Sequence, residues 1–205
     1  MTLRRLVFTL AVLCLSQASY AAIITYDLTQ PTIIPVNNGE TGEDHDDNYY
    51  YQQTKDGVTL TAFGYENYPS EGFSDREQVT WGGWGLGVND DDNSSSSDSY
   101  HLLDGEDESI LFNIGRAGIL TAVQLSEFGD GDDWNLWIDG VEVFVDRASS
   151  TLHQSYAFNN WFMISADGDS DVFGIQSVSV SVPEPGTLGL LALGIFALGL
   201  QRRRT

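Results

Sequence analysis

The chain has 205 residues, with 30 Asp and Glu against nine Lys and Arg, three His and one Cys. That length allows one domain with a sizeable core once the two ends are set aside as targeting segments. The formal charge of −21 repels nucleic-acid phosphates and anionic lipid heads, so nucleic acid is excluded as a partner.

Residues 1–21 carry Arg4 and Arg5, then the apolar run 6–15, then Ser19-Tyr20-Ala21. A cationic start, a short apolar middle and small residues before the cut make a secretory signal peptide. The cut is expected between Ala21 and Ala22, or one residue later. Cys14 is the chain's one cysteine and falls inside the apolar run, behind the bulky Leu13, which argues against lipidation. The exported chain therefore has no disulfide, no thiol chemistry and no Cys-ligated zinc.

Residues 22–182 hold 29 acids and four bases, Lys55, Arg76, Arg116 and Arg147, a net of −25. Solubility outside the cell is one reading of that charge, and attraction of divalent cations is another. Ile23–Leu28 reads as a first strand. Residues 37–48 form an acidic loop around His45. Val58–Tyr65 alternates, with Val58, Leu60 and Ala62 on one face and Thr59, Thr61 and Phe63 on the other, the mark of a half-buried strand. Residues 66–77 are polar and turn-rich. Trp81-Gly82-Gly83-Trp84-Gly85-Leu86-Gly87-Val88 is an aromatic and glycine segment, followed by a low-complexity acidic and serine loop at 89–99.

Strands are expected at 109–114 and 119–128. Asp139-Gly140 between the apolar runs 134–138 and 141–145 predicts a two-residue hairpin turn, with Trp134 and Trp137 on opposite faces. One aromatic strand is expected over 155–165. The last, 172–182, alternates with a slip at Gln176-Ser177 that reads as a bulge. About nine or ten short strands without a convincing amphipathic helix predict an all-β protein. The expected form is a single antiparallel β-sandwich, jelly-roll-like, spanning 22–181. It is flanked by the signal peptide, 1–21, and a C-terminal segment, 182–205, with a short transmembrane helix.

That segment has three parts. Val182-Pro183-Glu184-Pro185 is a rigid extended hinge. The run 188–200 has no charge, although it is shorter than the roughly 20 residues of a full span. Arg202, Arg203 and Arg204 mark the cytoplasmic side. Pro-Glu-Pro, short apolar helix, arginine cluster and chain end resemble the PEP-CTERM sorting signal of Gram-negative bacteria. The resemblance covers about the last 23 residues. It implies export through the Sec translocon, a transient inner-membrane intermediate, and recognition and cutting by an exosortase. It also implies a setting of exopolysaccharide or biofilm matrix at the cell surface. The domain itself loosely resembles uncharacterised ectodomains that carry this tail, and no activity comes with that likeness.

No catalytic residues stand out. There is no G-x-S-x-G elbow, the glycines at 82–87 open no helix, and 30 acids make chance carboxylate pairs inevitable. His45, His101 and His153 are scattered, against zinc. Asp130, Asp132 and Asp133, and likewise Asp167, Asp169 and Asp171, are spaced closely enough to offer oxygens to a structural calcium ion. Asp167–Asp171 lacks the glycine and the final Glu of a helix–loop–helix calcium loop, and solvated turns explain both groups equally well. Trp81, Trp84 and Trp137 could stack on sugar rings, or could be core. The reading is a non-enzymatic surface or matrix protein. The alternatives are a carbohydrate-binding module for the cell's own exopolysaccharide, with or without calcium, and a polysaccharide hydrolase.

Overall fold

The computed structural model describes residues 21–30, 33–35, 49–65, 73, 76–89, 103–104, 108–152, 154–166 and 171–183. In chain order their strands are β1 (Ala21–Asp27), β2 (Ile33–Pro35), β3 (Tyr49–Lys55), β4 (Val58–Tyr65), β5 (Arg76–Gly82), β6 (Gly85–Asn89) and β7 (Leu103–Asp104). There follow β8 (Ser109–Asn113), β9 (Gly118–Ser126), β10 (Trp134–Ile138), β11 (Val141–Phe144), β12 (Tyr156–Phe158), β13 (Trp161–Ala166) and β14 (Val172–Pro183). No helix among the described residues is long and apolar enough to cross a membrane.

The strands make two antiparallel sheets. One runs β11-β10-β13-β8-β4-β3-β2. The other runs β5-β6-β14-β9-β12, with β1 and β7 also paired to β14. Two segments turn from one sheet to the other. Arg76 and Glu77 of β5 pair with β4, while Gln78–Gly82 pair with β6. The expected single strand over 155–165 breaks at Asn159-Asn160: β12 pairs with β9 of the second sheet, and β13 pairs with β8 and β10 of the first. The break follows from Asp139, which binds the backbone N–H groups of Asn159 and Asn160 and so takes them out of any ladder.

The compact body is Ile23–Ser181. The remaining ends, 1–22 and 182–205, form a separate unit. Of that unit, only the terminal residues of β1 and β14 are described.

The alternating strand β4 buries Val58, Leu60 and Ala62 as its pattern requires. Facing them across the sandwich are Ile24, Tyr26 and Leu28 of β1 and Ile175, Val178 and Val180 of β14, all buried. The Tyr26 hydroxyl donates to the Val58 carbonyl at 3.1 Å, and Phe158 packs on Phe162 with centroids 5.3 Å apart. Both contacts cross between the sheets. Burying about a dozen such side chains, at about 1.5–3 kcal/mol each, is the main force for folding in a chain with no disulfide.

β8 is apolar on both sides, with every residue from Ser109 to Phe112 buried. Its continuous apolar run therefore signals a central strand covered on both faces. The cover on the far side is a second apolar cluster of Tyr65, Leu111 and Met163, flanked by Phe63, Trp137 and Trp161.

The hairpin at Asp139-Gly140 forms as predicted. Ile138 pairs with Val141, and both turn residues have positive φ, 49° and 85°, as a type I′ turn demands. A second two-residue hairpin joins β5 to β6 through Gly83-Trp84. There Gly85 has φ 122°, and a Cβ on it would overlap the Ile175 carbonyl oxygen. Gly85 thus serves close backbone approach to β14.

Candidate functional site

β14 is the strand that leads into the C-terminal segment. It pairs with β9 from Gly174↔Ser126 to Ser181↔Ile119, and its register shifts between Ile175 and Ser177, the predicted bulge. Val182 is buried and Pro183 is exposed, so the strand stays in the fold up to the proline. Of the expected sorting residues, Val182 and Pro183 are thus strand residues, while Glu184, Pro185 and Arg202–Arg204 lie outside the described residues. Ala21 and Ala22 open β1.

β1 runs alongside β14. Leu28 N–H donates to the Gln176 carbonyl at 2.9 Å, and the Thr25 and Ser179 hydroxyls are 2.8 Å apart. Moving down β1 matches moving up β14, so the pair is antiparallel and the start of β1 lies beside the end of β14.

The acidic loops are divided. Asp130 is exposed. Asp132 turns back to accept from the Gly129 N–H of its own turn. Asp171 is buried, 3% exposed, and its carboxylate accepts from the Asp133 N–H at 3.0 Å. The two loops thus meet at Asp133 and Asp171. Among the described residues, no three His, Cys, Asp or Glu group as a metal site. Asp167 and Asp169, the acidic stretches 44–47 and 90–92, and all three histidines lie outside the described residues.

The tryptophans separate by face. Trp134 is fully buried, with its Nε1–H on the Ser149 carbonyl at 2.7 Å. Trp137 points the other way, into the cluster on the outer face of β4, β8, β13 and β10. Cross-strand register makes that cluster a row: Phe63 pairs with Leu111, Leu111 with Met163, and Met163 with Trp137. Tyr50 extends it beyond Phe63 with centroids 5.7 Å apart, and Phe73 stands edge-on to both Tyr65 and Trp161. The Arg76 guanidinium lies 4.4 Å from the Phe63 centroid, a cation–π contact. A neighbouring row carries Gln52, Thr61, Asn113 and Trp161. Trp81 and Trp84 sit elsewhere, exposed on the β5–β6 hairpin.

Sequence reading put Phe63 on the polar face of its strand and Trp134 and Trp137 on opposite faces of theirs, without saying which of the two faces out, and did not join Phe63 to Trp137. The available signal was an aromatic residue on the otherwise polar face of an alternating strand. The row itself needs the register of four strands, which no local pattern carries.

Residues 181–204 match the family model of the PEP-CTERM protein-sorting motif. No curated protein and no solved structure matches the chain.

Proposed function

We propose that the chain is a non-enzymatic, exported protein of a Gram-negative cell surface or extracellular matrix, cut from its tail by an exosortase after Sec-dependent export. The observation that carries this reading is the match to a sorting motif at 181–204, whose first residues are the end of β14. An acidic domain without cysteine suits the medium outside the cell. The signal peptide at 1–21 and the jelly-roll form of the sandwich belong to the same proposal. The test is a tagged full chain in its own host, compared with a Pro183→Ala, Pro185→Ala double variant. The parent should appear shortened and outside the inner membrane, and the variant should stay full-length in the membrane fraction. Equal processing of both would overturn the reading.

A second reading, a module that holds the cell's exopolysaccharide, is favoured by the outer aromatic row. Half-buried rings beside Gln52, Thr61 and Asn113 combine stacking surface with hydroxyl and amide groups, the chemistry a sugar needs. Trp137→Ala should weaken retention on that polysaccharide while the circular dichroism spectrum is unchanged. Trp81→Ala with Trp84→Ala tests the hairpin in the same way. Calcium at the Asp133 and Asp171 loops is a variant of this reading. A melting midpoint raised by calcium and not by matched magnesium supports it, and equal midpoints remove it.

A further inference from the structure

The end of the sandwich where β1 starts and β14 finishes has its own surface chemistry. Ile23 and Ile119 are exposed apolar side chains there, at 67% and 41%. They flank Ser181, which is opposite Ile119 in register and two residues on from the Thr25–Ser179 contact. Lys55 reaches the same place, with its ammonium on the Thr25 carbonyl at 2.8 Å. Arg116 lies three residues before Ile119 and close enough to Tyr26 to act on its hydroxyl electrostatically. Lys55 and Arg116 are two of the four bases in residues 22–182. Asp56 and Asp139, in the turns at this end, Glu142 beside the second turn, and Asp27, whose carboxyl feels the Lys55 charge, set four acids against these two bases.

The opposite end is different. Glu108, Glu127, Asp130, Asp132, Asp133 and Asp171 stand at the starts or ends of β8, β9, β10 and β14 there, against Arg76 and Arg147. Among the described residues the ratio of acids to bases is thus lower at the end where the chain leaves for the tail than at the opposite end.

We infer that the Ile23, Lys55, Arg116 and Ile119 surface is a membrane-facing surface that rests on phospholipid headgroups while the chain is still anchored. The inference depends on the tail acting as an anchor, as proposed above. Chain length is its second support. From Pro183 to Leu188, where the apolar run begins, there are five residue steps, which span at most about 17 Å when fully extended. The headgroup layer takes up about 5–7 Å of that, and the remainder is close to the Debye length of about 8 Å at physiological salt. A strongly acidic domain held so near an anionic surface is repelled at its acidic end. The orientation that relieves this turns the less acidic end down, and there exposed isoleucines enter the headgroup boundary and the two bases meet lipid phosphates.

The test uses full chains carrying Cys14→Ser with either Ile119→Cys or Asp130→Cys, labelled with a fluorophore. They are reconstituted into vesicles of phosphatidylcholine and phosphatidylglycerol containing nitroxide-headgroup lipid. The probe at position 119 should be quenched several-fold more than the probe at 130. Lys55→Glu with Arg116→Glu should remove most of that difference. Equal quenching at 119 and 130 in chains that float with the vesicles overturns the surface and leaves the anchor standing. Chains that do not float overturn the anchor, and the surface with it.

Discussion

Asp139 and Asn160 are joined by a 2.9 Å hydrogen bond from the Asn160 N–H to the Asp139 carboxylate. The same carboxylate accepts from the N–H groups of Asn159 at 2.6 Å and Trp161 at 3.2 Å, and from the Asn159 side-chain amide. One hairpin turn thereby holds the corner at which the chain passes from β12 to β13. Partial burial pushes the Asp139 pKa up, but the four hydrogen bonds together outweigh it and hold the carboxyl below its ordinary value of 3.8. The folded pKa is depressed, so its stabilisation is present above the unfolded value and is lost as pH falls through the folded one. Asp139→Ala should cost about 1–3 kcal/mol near pH 7, the cost of orphaning several donors. Urea melts of both proteins should converge as the pH drops below about 4. A cost that persists undiminished in acid would show that the charge is not the cause.

Gly85 and Gly83 are neighbours in one hairpin with opposite tolerance. A Cβ at Gly85 runs into the Ile175 backbone and must also adopt φ 122°, while one at Gly83 meets nothing within 4 Å. Gly85→Ala should cost about 2–4 kcal/mol, within the range of the more severe single substitutions, and Gly83→Ala should stay within about 0.5 kcal/mol of the parent. Denaturant midpoints decide this. Similar midpoints for the two variants would mean that the hairpin tip does not lie on β14.

The alkaline limit of the fold rests on two tyrosines. Tyr26 and Tyr51 are fully buried and donate to the backbone carbonyls of Val58 and Asp27. Desolvation by burial pushes both pKa values from 10.0 to about 12. Because the folded value is raised, the neutral hydroxyls stabilise the fold fully below pH 10, and that stability is lost as pH rises from about 10 to 12. Absorbance titration at 295 nm should show the exposed tyrosines ionising first and these two ionising with unfolding. Tyr26→Phe should shift the alkaline midpoint upward relative to its neutral-pH stability.

Much of this architecture was legible because local rules and tertiary fold agree. Asp-Gly fixed the β10–β11 turn, the two-residue period fixed the buried face of β4, and the broken alternation at Gln176-Ser177 marked a real bulge. β5 was not legible, because its start at Arg76-Glu77-Gln78 is polar and its pairing with β4 and then β6 is decided by partners distant in sequence. The continuous aromatic pattern from Tyr156 to Phe162 concealed the corner between β12 and β13. That corner depends on Asp139, about twenty residues away. The sorting tail was legible because its signal is linear: proline hinge, apolar run, arginines. A ligand-binding face assembled from one residue per strand has no such linear form.

Trp134 and Trp137 give the last prediction, since only two residues separate them and their surroundings differ. Trp134 is enclosed, meets Phe144 edge to face with centroids 4.7 Å apart, and donates its indole N–H to the Ser149 carbonyl. Trp134→Ala should cost about 3–5 kcal/mol, the range for emptying a buried aromatic site. Trp134→Phe should cost less, because the ring volume is largely kept and the Ser149 carbonyl is what loses its donor. Trp137 is half-exposed on the outer row. Trp137→Ala should therefore cost only about 1–2 kcal/mol, the area term without a full cavity. Thermal melts rank the three variants. If Trp137→Ala proved as damaging as Trp134→Ala, the outer row would be a second structural core, and sugar contact would have to be sought at Trp81 and Trp84 instead.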